Sequence, residues 1–303
     1  MIMDHSFQPK LNLITISSPN WEDTVNSWRN FFDYEVFDTG YIEEDLAQTW
    51  NAPNNVDSRY AILYSKLGDQ SIGIRIVENS IPSNFESLRT FGWSKFSLIV
   101  ENINDAHSQI KESPFEIISP IRTVDTNILK VKTLDFKGLS SEIVSFIEII
   151  DLKKIEKPIV KTKIDRPFSV TLATRDMETS QKFFYNKLSI EKSIDFEGEL
   201  WSLSDAFQYN RDTTYAQSSL QMGNNISLEI NEYPEDAKRR DAIPGHLMPG
   251  ISHITMTVPY IEKLPLYWLT EPLRLQKYFY NGLQSVTFYG ASGELIELIE
   301  QTN

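Results

Sequence analysis

Polar and apolar positions alternate with period two from Ile251 to Val258, so His253, Thr255 and Thr257 share one face of a strand and Ile254, Met256 and Val258 the other. The same parity sets Ser227, Glu229 and Asn231 against Ile226, Leu228 and Ile230, and Ser169, Thr171 and Ala173 against Val170 and Leu172. In the C-terminal run, Glu297 stands among Leu295, Ile296, Leu298 and Ile299, where a carboxylate is costly unless it has a partner. A metal ion is one such partner. Elsewhere the period lengthens to that of a helix. Trp21, Val25, Trp28 and Phe32 form a stripe behind Asn20, Ala106 and Ile110 follow Asn102, and Met177, Phe183, Phe184 and Leu188 follow Asp176.

In chain order these signals spell β-α-β-β-β, and do so repeatedly. The first unit runs from Leu11–Ile16 through extended stretches at Glu35–Thr39, Arg59–Ser65 and Ser71–Val77, with a polar segment at Asp45–Ser58. The second runs from Lys95–Val100 to Glu142–Ile150. A third begins at Phe168–Thr174 and adds extended stretches at Glu191–Phe196, Leu200–Leu203, Tyr215–Gln221 and Ile226–Glu232. The fourth starts at Ser252–Val258, with a shorter helix expected near Glu262–Leu269 and further strands up to Glu294–Ile299. Residues 151–166 mix Lys, Glu and Pro without a sustained apolar face and read as a linker between halves at 1–150 and 167–303. Glu22 and Glu178 occupy matching helix positions, and Glu142-Ile143-Val144 matches Glu294-Leu295-Ile296. Such an internal repeat constrains architecture more firmly than any local motif.

Composition narrows the function classes. With 303 residues, 41% of them hydrophobic, the chain is long enough for a substantial core. A net charge of −13 argues against duplex nucleic acid and anionic membranes as partners and leaves small molecules open. The absence of cysteine excludes disulfides, thiolate catalysis and cysteine-based zinc sites, so any metal is held by His and carboxylate. The first residues carry no apolar leader segment and no long apolar run follows, which makes a cytoplasmic location the default expectation. A homodimer is compatible with all of this. No Gly-rich phosphate cradle, nucleophile elbow or paired-His helix motif occurs.

The strand-to-helix openings Ile14-Thr15-Ile16-Ser17 to Phe31-Phe32 and Val170-Thr171-Leu172-Ala173 to Phe183-Phe184-Tyr185, with Arg59-Tyr60-Ala61-Ile62-Leu63, Gly250-Ile251-Ser252-His253-Ile254 and Gly293-Glu294-Leu295-Ile296-Glu297, resemble the vicinal oxygen chelate superfamily. That superfamily includes glyoxalase, extradiol dioxygenases and bleomycin-resistance proteins. The resemblance spans nearly the whole chain and implies an α+β fold of two tandem domains. Each would be a pair of βαβββ modules forming a cupped mixed sheet with helices outside. It further implies metal ligands on the first and last strands of the modules. With modules paired inside each half, those positions are Leu13, Lys95, Ser145 and the strand around Arg75 in the N-terminal half, which offer no metal set, and Ser169, Glu229, His253 and Glu297 in the C-terminal half. Pairing across the halves is the other arrangement the repeat allows: with the fourth module on the first, His253 and Glu297 would face Leu13 and Arg75, and the metal set would be lost.

One imidazole and two carboxylates suit Fe, Mn, Ni, Co or Zn. Glu229, His253 and Glu297 are therefore the expected catalytic and metal-binding residues, with Ser169 beside them. The chemistry would be of lyase, isomerase or dioxygenase type, the ion acting as a Lewis acid on a small organic substrate. Tyr209, Arg211, Tyr215, His246 and Tyr280 are candidate substrate contacts from their proximity to the C-terminal strands. The alternative is a metal-free binding or sequestering protein of the bleomycin-resistance kind, with the cup as an apolar pocket.

Overall fold

The computed structural model describes residues 8–126, 129–152, 158–190, 192–223, 226–277 and 279–301. The first module comprises β1 (Lys10–Ser18), α1 (Trp21–Phe32), β2 (Tyr34–Tyr41), α2 (Glu44–Thr49), β3 (Arg59–Ser65) and β4 (Gly73–Glu78). The second contains β5 (Gly92–Val100), α3 (Ile103–Lys111), β6 (Glu116–Asp125), β7 (Leu129–Lys137) and β8 (Ile143–Leu152). The third is β9 (Ile164–Thr174), α4 (Met177–Leu188), β10 (Lys192–Glu199), α5 (Trp201–Phe207), β11 (Thr214–Met222) and β12 (Ile226–Glu232). The fourth is β13 (Gly250–Val258), β14 (Leu273–Arg274), β15 (Gln284–Tyr289) and β16 (Leu295–Glu300). The α+β class with paired modules is as expected from the sequence, the fourth module lacking a helix among the described residues.

The strands form two eight-stranded mixed sheets, ordered β14-β15-β16-β13-β1-β4-β3-β2 and β10-β11-β12-β9-β5-β8-β7-β6. The first sheet joins modules one and four through antiparallel β1 and β13, with Thr15 opposite His253. The second joins modules two and three through β5 and β9, with Ser97 opposite Ser169. Of the two arrangements, the modules pair across the halves and not inside each: each sheet draws on both halves of the chain. The linker is also shorter than 151–166, because β9 begins at Ile164 and the buried Asp165 accepts backbone N–H bonds from Asp69 and Lys161, both at 2.7 Å.

Helices α1, α3 and α4 pack against the apolar faces of both sheets and close one continuous core. Trp28 of α1 stacks on Phe96 of the second sheet at 6.0 Å, and Phe183 of α4 meets Phe288 of the first sheet at 6.1 Å. Asn102 and Asp176 cap α3 and α4 through their side chains, as their positions predict, whereas Asn20 makes no side-chain cap. The expected helix at 262–269 does not form among the described residues; Pro265 interrupts it and disfavours the helical region for Leu264. The stretch 200–203 opens α5 instead of a strand, and the polar segment 45–58 contains most of α2.

A tight turn is built twice. In Gly138-Leu139-Ser140-Ser141-Glu142 and Gly290-Ala291-Ser292-Gly293-Glu294, the Glu carboxylate accepts the Ser140 or Ser292 backbone N–H, at 2.9 and 2.7 Å. A Cβ at Gly138 or Gly290 would collide with that carboxylate and displace it from the turn. Both glutamates are buried, and burial pushes each carboxyl up to about 7 against the lowering effect of those backbone donors.

Candidate functional site

On the face opposite the helices, each sheet forms a cup. In the first cup the floor carries Leu13, Thr15, Arg75, His253, Thr255 and Glu297, all buried. Register places them together: Thr15 lies opposite both Arg75 and His253, and Thr255 lies opposite both Leu13 and Glu297. The Arg75 guanidinium is the hub. It donates through Nε to Thr15 Oγ1 (3.0 Å), through Nη1 to Tyr280 Oη (2.6 Å), and through Nη2 to His253 Nε2 (2.7 Å), Thr255 Oγ1 (3.2 Å) and Glu297 Oε2 (2.9 Å). Its plane also lies over the Trp50 ring, 4.4 Å from the centroid.

Glu297 is saturated with donors. Oε1 accepts from Trp50 Nε1 (3.0 Å), Tyr280 Oη (2.8 Å) and Ser285 Oγ (3.1 Å), and Oε2 accepts from Arg75 and from Thr255 Oγ1 (2.5 Å). Burial pushes this carboxyl up, but the Arg75 charge, His253 and the Thr255 hydroxyl outweigh it and hold it at about 2. His253 is driven the other way, down to about 3, by burial and then by Arg75, with Glu297 opposing. Arginine only donates, so His253 Nε2 is an acceptor, and Nδ1–H faces Ser252 Oγ at 2.6 Å. Burial raises the Tyr280 hydroxyl well above the usual phenol value.

This cup is full. Ile42, Leu46, Trp50, Leu247 and Leu275 pack into it, leaving a void of about 10 Å³ beside Arg75 and Tyr280, close to the space of one water.

The second cup is chemically different. At the positions matching Arg75, His253, Glu297 and Leu13 by register stand Glu229, Lys95, Ser145 and Ser169. Thr171 lies between Lys95 and Glu229, opposite both, and donates to Glu229 Oε2 at 3.2 Å. The two charges are thus two strand spacings apart, roughly 10 Å along the sheet. Lys95 and Glu229 are both partly accessible, as are Ser219 and Ser227, which bond to each other at 2.6 Å. At one end, buried Asp135 accepts from Ser202 Oγ of α5 (2.7 Å) and from Ser145, with Lys95 Nζ at 3.8 Å. Burial pushes the Asp135 carboxyl up, yet Lys95 and the two hydroxyls bring it below the usual value. Trp201 stands at the same end between Arg122 and Arg211, each guanidinium 5.3 Å from its ring centroid.

The expected metal triad is therefore divided. His253 and Glu297 meet in the first cup, whereas Glu229 lies in the second. Among the described residues no group of three or more His, Cys, Asp or Glu is placed to hold a metal. The donor set does not fit the ion that the fold family implies: in the first cup Arg75 already occupies both remaining ligands. A divalent ion about 4 Å from that guanidinium would be repelled by roughly 8 kcal/mol at an effective dielectric of about 20. In the second cup Lys95 opposes a cation in the same way.

Of the candidate substrate contacts, only Tyr280 joins the first cluster. Ser169 donates to Ser97 Oγ at 3.0 Å, and Tyr215 pairs with Ser204 at 2.9 Å. Tyr209 is exposed beside Phe207, Arg211 is held by Asp205, and His246 Nδ1 faces Asn79 at 3.1 Å in a loop. Arg75, Trp50 and Asp135 were not anticipated as site residues. The signal for Arg75 is a lone cation in the middle of Ile72-Gly73-Ile74-Arg75-Ile76.

Module pairing has an electrostatic rationale. Pairing inside the halves would set Arg75 against Lys95 in one cup, and Glu229 beside Glu297 in the other. The observed pairing joins Arg75 to Glu297 at 2.9 Å and places Glu229 in the same cup as Lys95, which also has Asp135 of its own module at 3.8 Å, so each cup holds both signs of charge.

No protein-family model matches the sequence, and no curated protein sequence does. Solved structures do. A single-substitution mutant of glyoxalase I from Zea mays superposes with a TM-score of 0.64 at 11% identity, covering 97% of this chain and 94% of that one. Unsubstituted maize glyoxalase I gives 0.60 at 11%, covering 96% and 92%. A putative dioxygenase from Bacillus subtilis gives 0.65 at 9%, covering 98% and 86%. The chain thus has the vicinal oxygen chelate fold over essentially its full length. No described helix is long and apolar enough to cross a membrane.

Proposed function

We propose that this protein binds a small polar organic molecule in the second cup without a metal ion, the first cup serving as a closed structural counterpart. The observation that carries this reading is the pair Lys95 and Glu229. They are opposite in charge, partly solvent-accessible and separated across Thr171, with serine hydroxyls around them and Asp135 3.8 Å from Lys95. A cation and an anion roughly 10 Å apart, with the Thr171 hydroxyl between them and Trp201 at one end, complement a zwitterionic or polyhydroxylated ligand with a planar part. The first cup offers no comparable access, since Arg75, His253 and Glu297 are sealed beneath Trp50 and Tyr280.

Metal-dependent lyase, isomerase or dioxygenase chemistry is not part of this reading, because the family's ligand positions are taken by Arg75 and Lys95. The test is thermal shift of EDTA-treated protein with free tyrosine, a nucleoside and catechol, followed by calorimetry. Binding by at least one, weakened in Lys95→Met and Glu229→Gln and indifferent to added Mn²⁺ or Zn²⁺, supports the reading. Binding that requires the metal, or that survives both substitutions, overturns it.

A further inference from the structure

A cavity of about 380 Å³ lies away from both cups, where the end of β9 and the start of α4 meet the turn before β16. Its walls include Phe91, Thr174, Arg175, Ser180, Arg239 and Ser292. Two arginines reach it from different elements. Arg175 lies over the Phe91 ring with its guanidinium 5.5 Å from the centroid. Arg239 is next to Arg240, which is buried and donates to Thr90 Oγ1 (3.0 Å), Trp93 O (2.7 Å) and Ile251 O (3.0 Å), so the segment carrying Arg239 is fixed in place. Among the described residues neither Arg175 nor Arg239 has a carboxylate within ion-pair distance, although the chain carries 42 Asp and Glu against 29 Lys and Arg. The one acidic side chain in the wall, Asp176, is committed to Thr179, accepting from its N–H at 2.9 Å and its hydroxyl at 2.6 Å. The end of α4 is thereby satisfied by the chain itself and is not what recommends the cavity.

The internal repeat supplies a control. Thr174, Ser180 and Ser292 form a hydroxyl trio at the cavity base, with spacings of 2.8, 3.2 and 2.7 Å. Ser18, Thr24 and Ser140 form the matching contacts in the first repeat, both at 3.0 Å. The trio is therefore a structural feature of the repeat. The differences lie around it: Pro19 stands where the later repeat has Arg175, and Leu139, packed on the core, stands where it has the small, exposed Ala291. The later repeat thus adds a cation and leaves space in front of it.

We infer that this cavity is a binding site for a small molecule bearing an oxyanion group, held by Arg175 and Arg239 with Phe91 as its apolar wall. Guanidinium forks match the paired oxygens of phosphate and carboxylate, and the volume suits a small organic anion. The two sources of that chemistry are separated by the probes: inorganic phosphate for a phosphate ester, and malonate for a carboxylate.

Titration calorimetry of the full chain at low ionic strength is the test. Wild-type protein is expected to bind at least one probe, and Arg175→Ala and Arg239→Ala each to weaken it at least about tenfold. Lys137→Ala, which removes a distant surface cation, is expected to leave affinity unchanged, and circular dichroism melts monitor folding of every variant. Binding of phosphate alone or malonate alone identifies the class. No binding of either probe by wild type, or equal loss in Lys137→Ala, overturns the assignment, as does undiminished binding by the folded double variant.

Discussion

Arg75 and Glu297, 222 residues apart in the chain, meet at 2.9 Å with essentially no solvent access to either side chain. A buried pair of this kind is strongly destabilising to break and often close to neutral to replace as a whole. Glu297→Gln leaves a buried guanidinium without its counter-charge, and Arg75→Met leaves a buried carboxylate. Each is expected to lower stability by about 3–5 kcal/mol, and the double change Arg75→Met with Glu297→Leu by much less. Urea denaturation of the two single variants and the double variant measures this. Additive losses would show that the two charges do not act as a pair.

Acid stability follows from the same cluster. Glu297 is held at about 2, below the ordinary carboxylate value, so its contribution is present above the unfolded pKa and is lost as pH falls through the range down to about 2. His253 stays neutral until about 3, whereas the unfolded chain takes up its proton near 6.5; this contribution too is lost as pH falls below about 6.5. Arg75→Met lifts the guanidinium's pressure on both groups. Its stability is expected to fall less steeply with acid than that of the wild type, as read from denaturant midpoints between about pH 3 and pH 6.

Glu142 and Glu294 carry the opposite sign. Each is raised to about 7 by burial, so the folded protein holds protons that the unfolded chain has released. Their stabilisation is complete below the unfolded value near 4.5 and is lost as pH rises through about 7. Glu142→Gln and Glu294→Gln keep the turn's acceptor oxygen while abolishing the titration. Each is expected to flatten the decline in stability between about pH 5 and pH 8, by up to about 3 kcal/mol for a shift of this size. Unchanged pH profiles in both variants would contradict the assignment.

The elements were largely legible because they rest on local signals. Parity along 251–258 and 226–231 placed His253, Glu229 and their neighbours on the polar faces, and the repeat between Glu142 and Glu294 was visible as spacing. Module partnership was not legible, since it depends on which cup's charges cancel, and that needs Arg75 to be weighed as a site residue. An arginine is absent from any list of metal ligands, so a search for His and carboxylate passes over it. Two donors of the first cup, His253 and Glu297, are therefore legible in the sequence, whereas their third partner, Arg75, is not. The filling of the cup by Trp50 and Tyr280 was hidden as well, because segment 45–58 reads as polar although Leu46, Ala47 and Trp50 point inward.

If Arg75 takes the place of an ion, exchanging it for a ligand should create the missing site. Arg75→Glu puts a third donor beside His253 Nε2 and Glu297, the two groups that the Arg75 Nη2 nitrogen now contacts at 2.7 and 2.9 Å. Without metal, this variant buries two carboxylates with no cation between them and is expected to lose several kcal/mol of stability. With metal, one imidazole and two carboxylates surround a divalent ion, and binding to the folded state alone stabilises in proportion to the logarithm of free metal over Kd. The melting temperature of Arg75→Glu is therefore expected to rise with added Zn²⁺ or Mn²⁺ and to fall back with EDTA, while that of the wild type moves with neither. Arg75→Met separates vacancy from ligation: it removes the cation but adds no donor, and is expected to respond weakly. A metal response in the wild type equal to that of Arg75→Glu would mean that the guanidinium does not stand in for an ion.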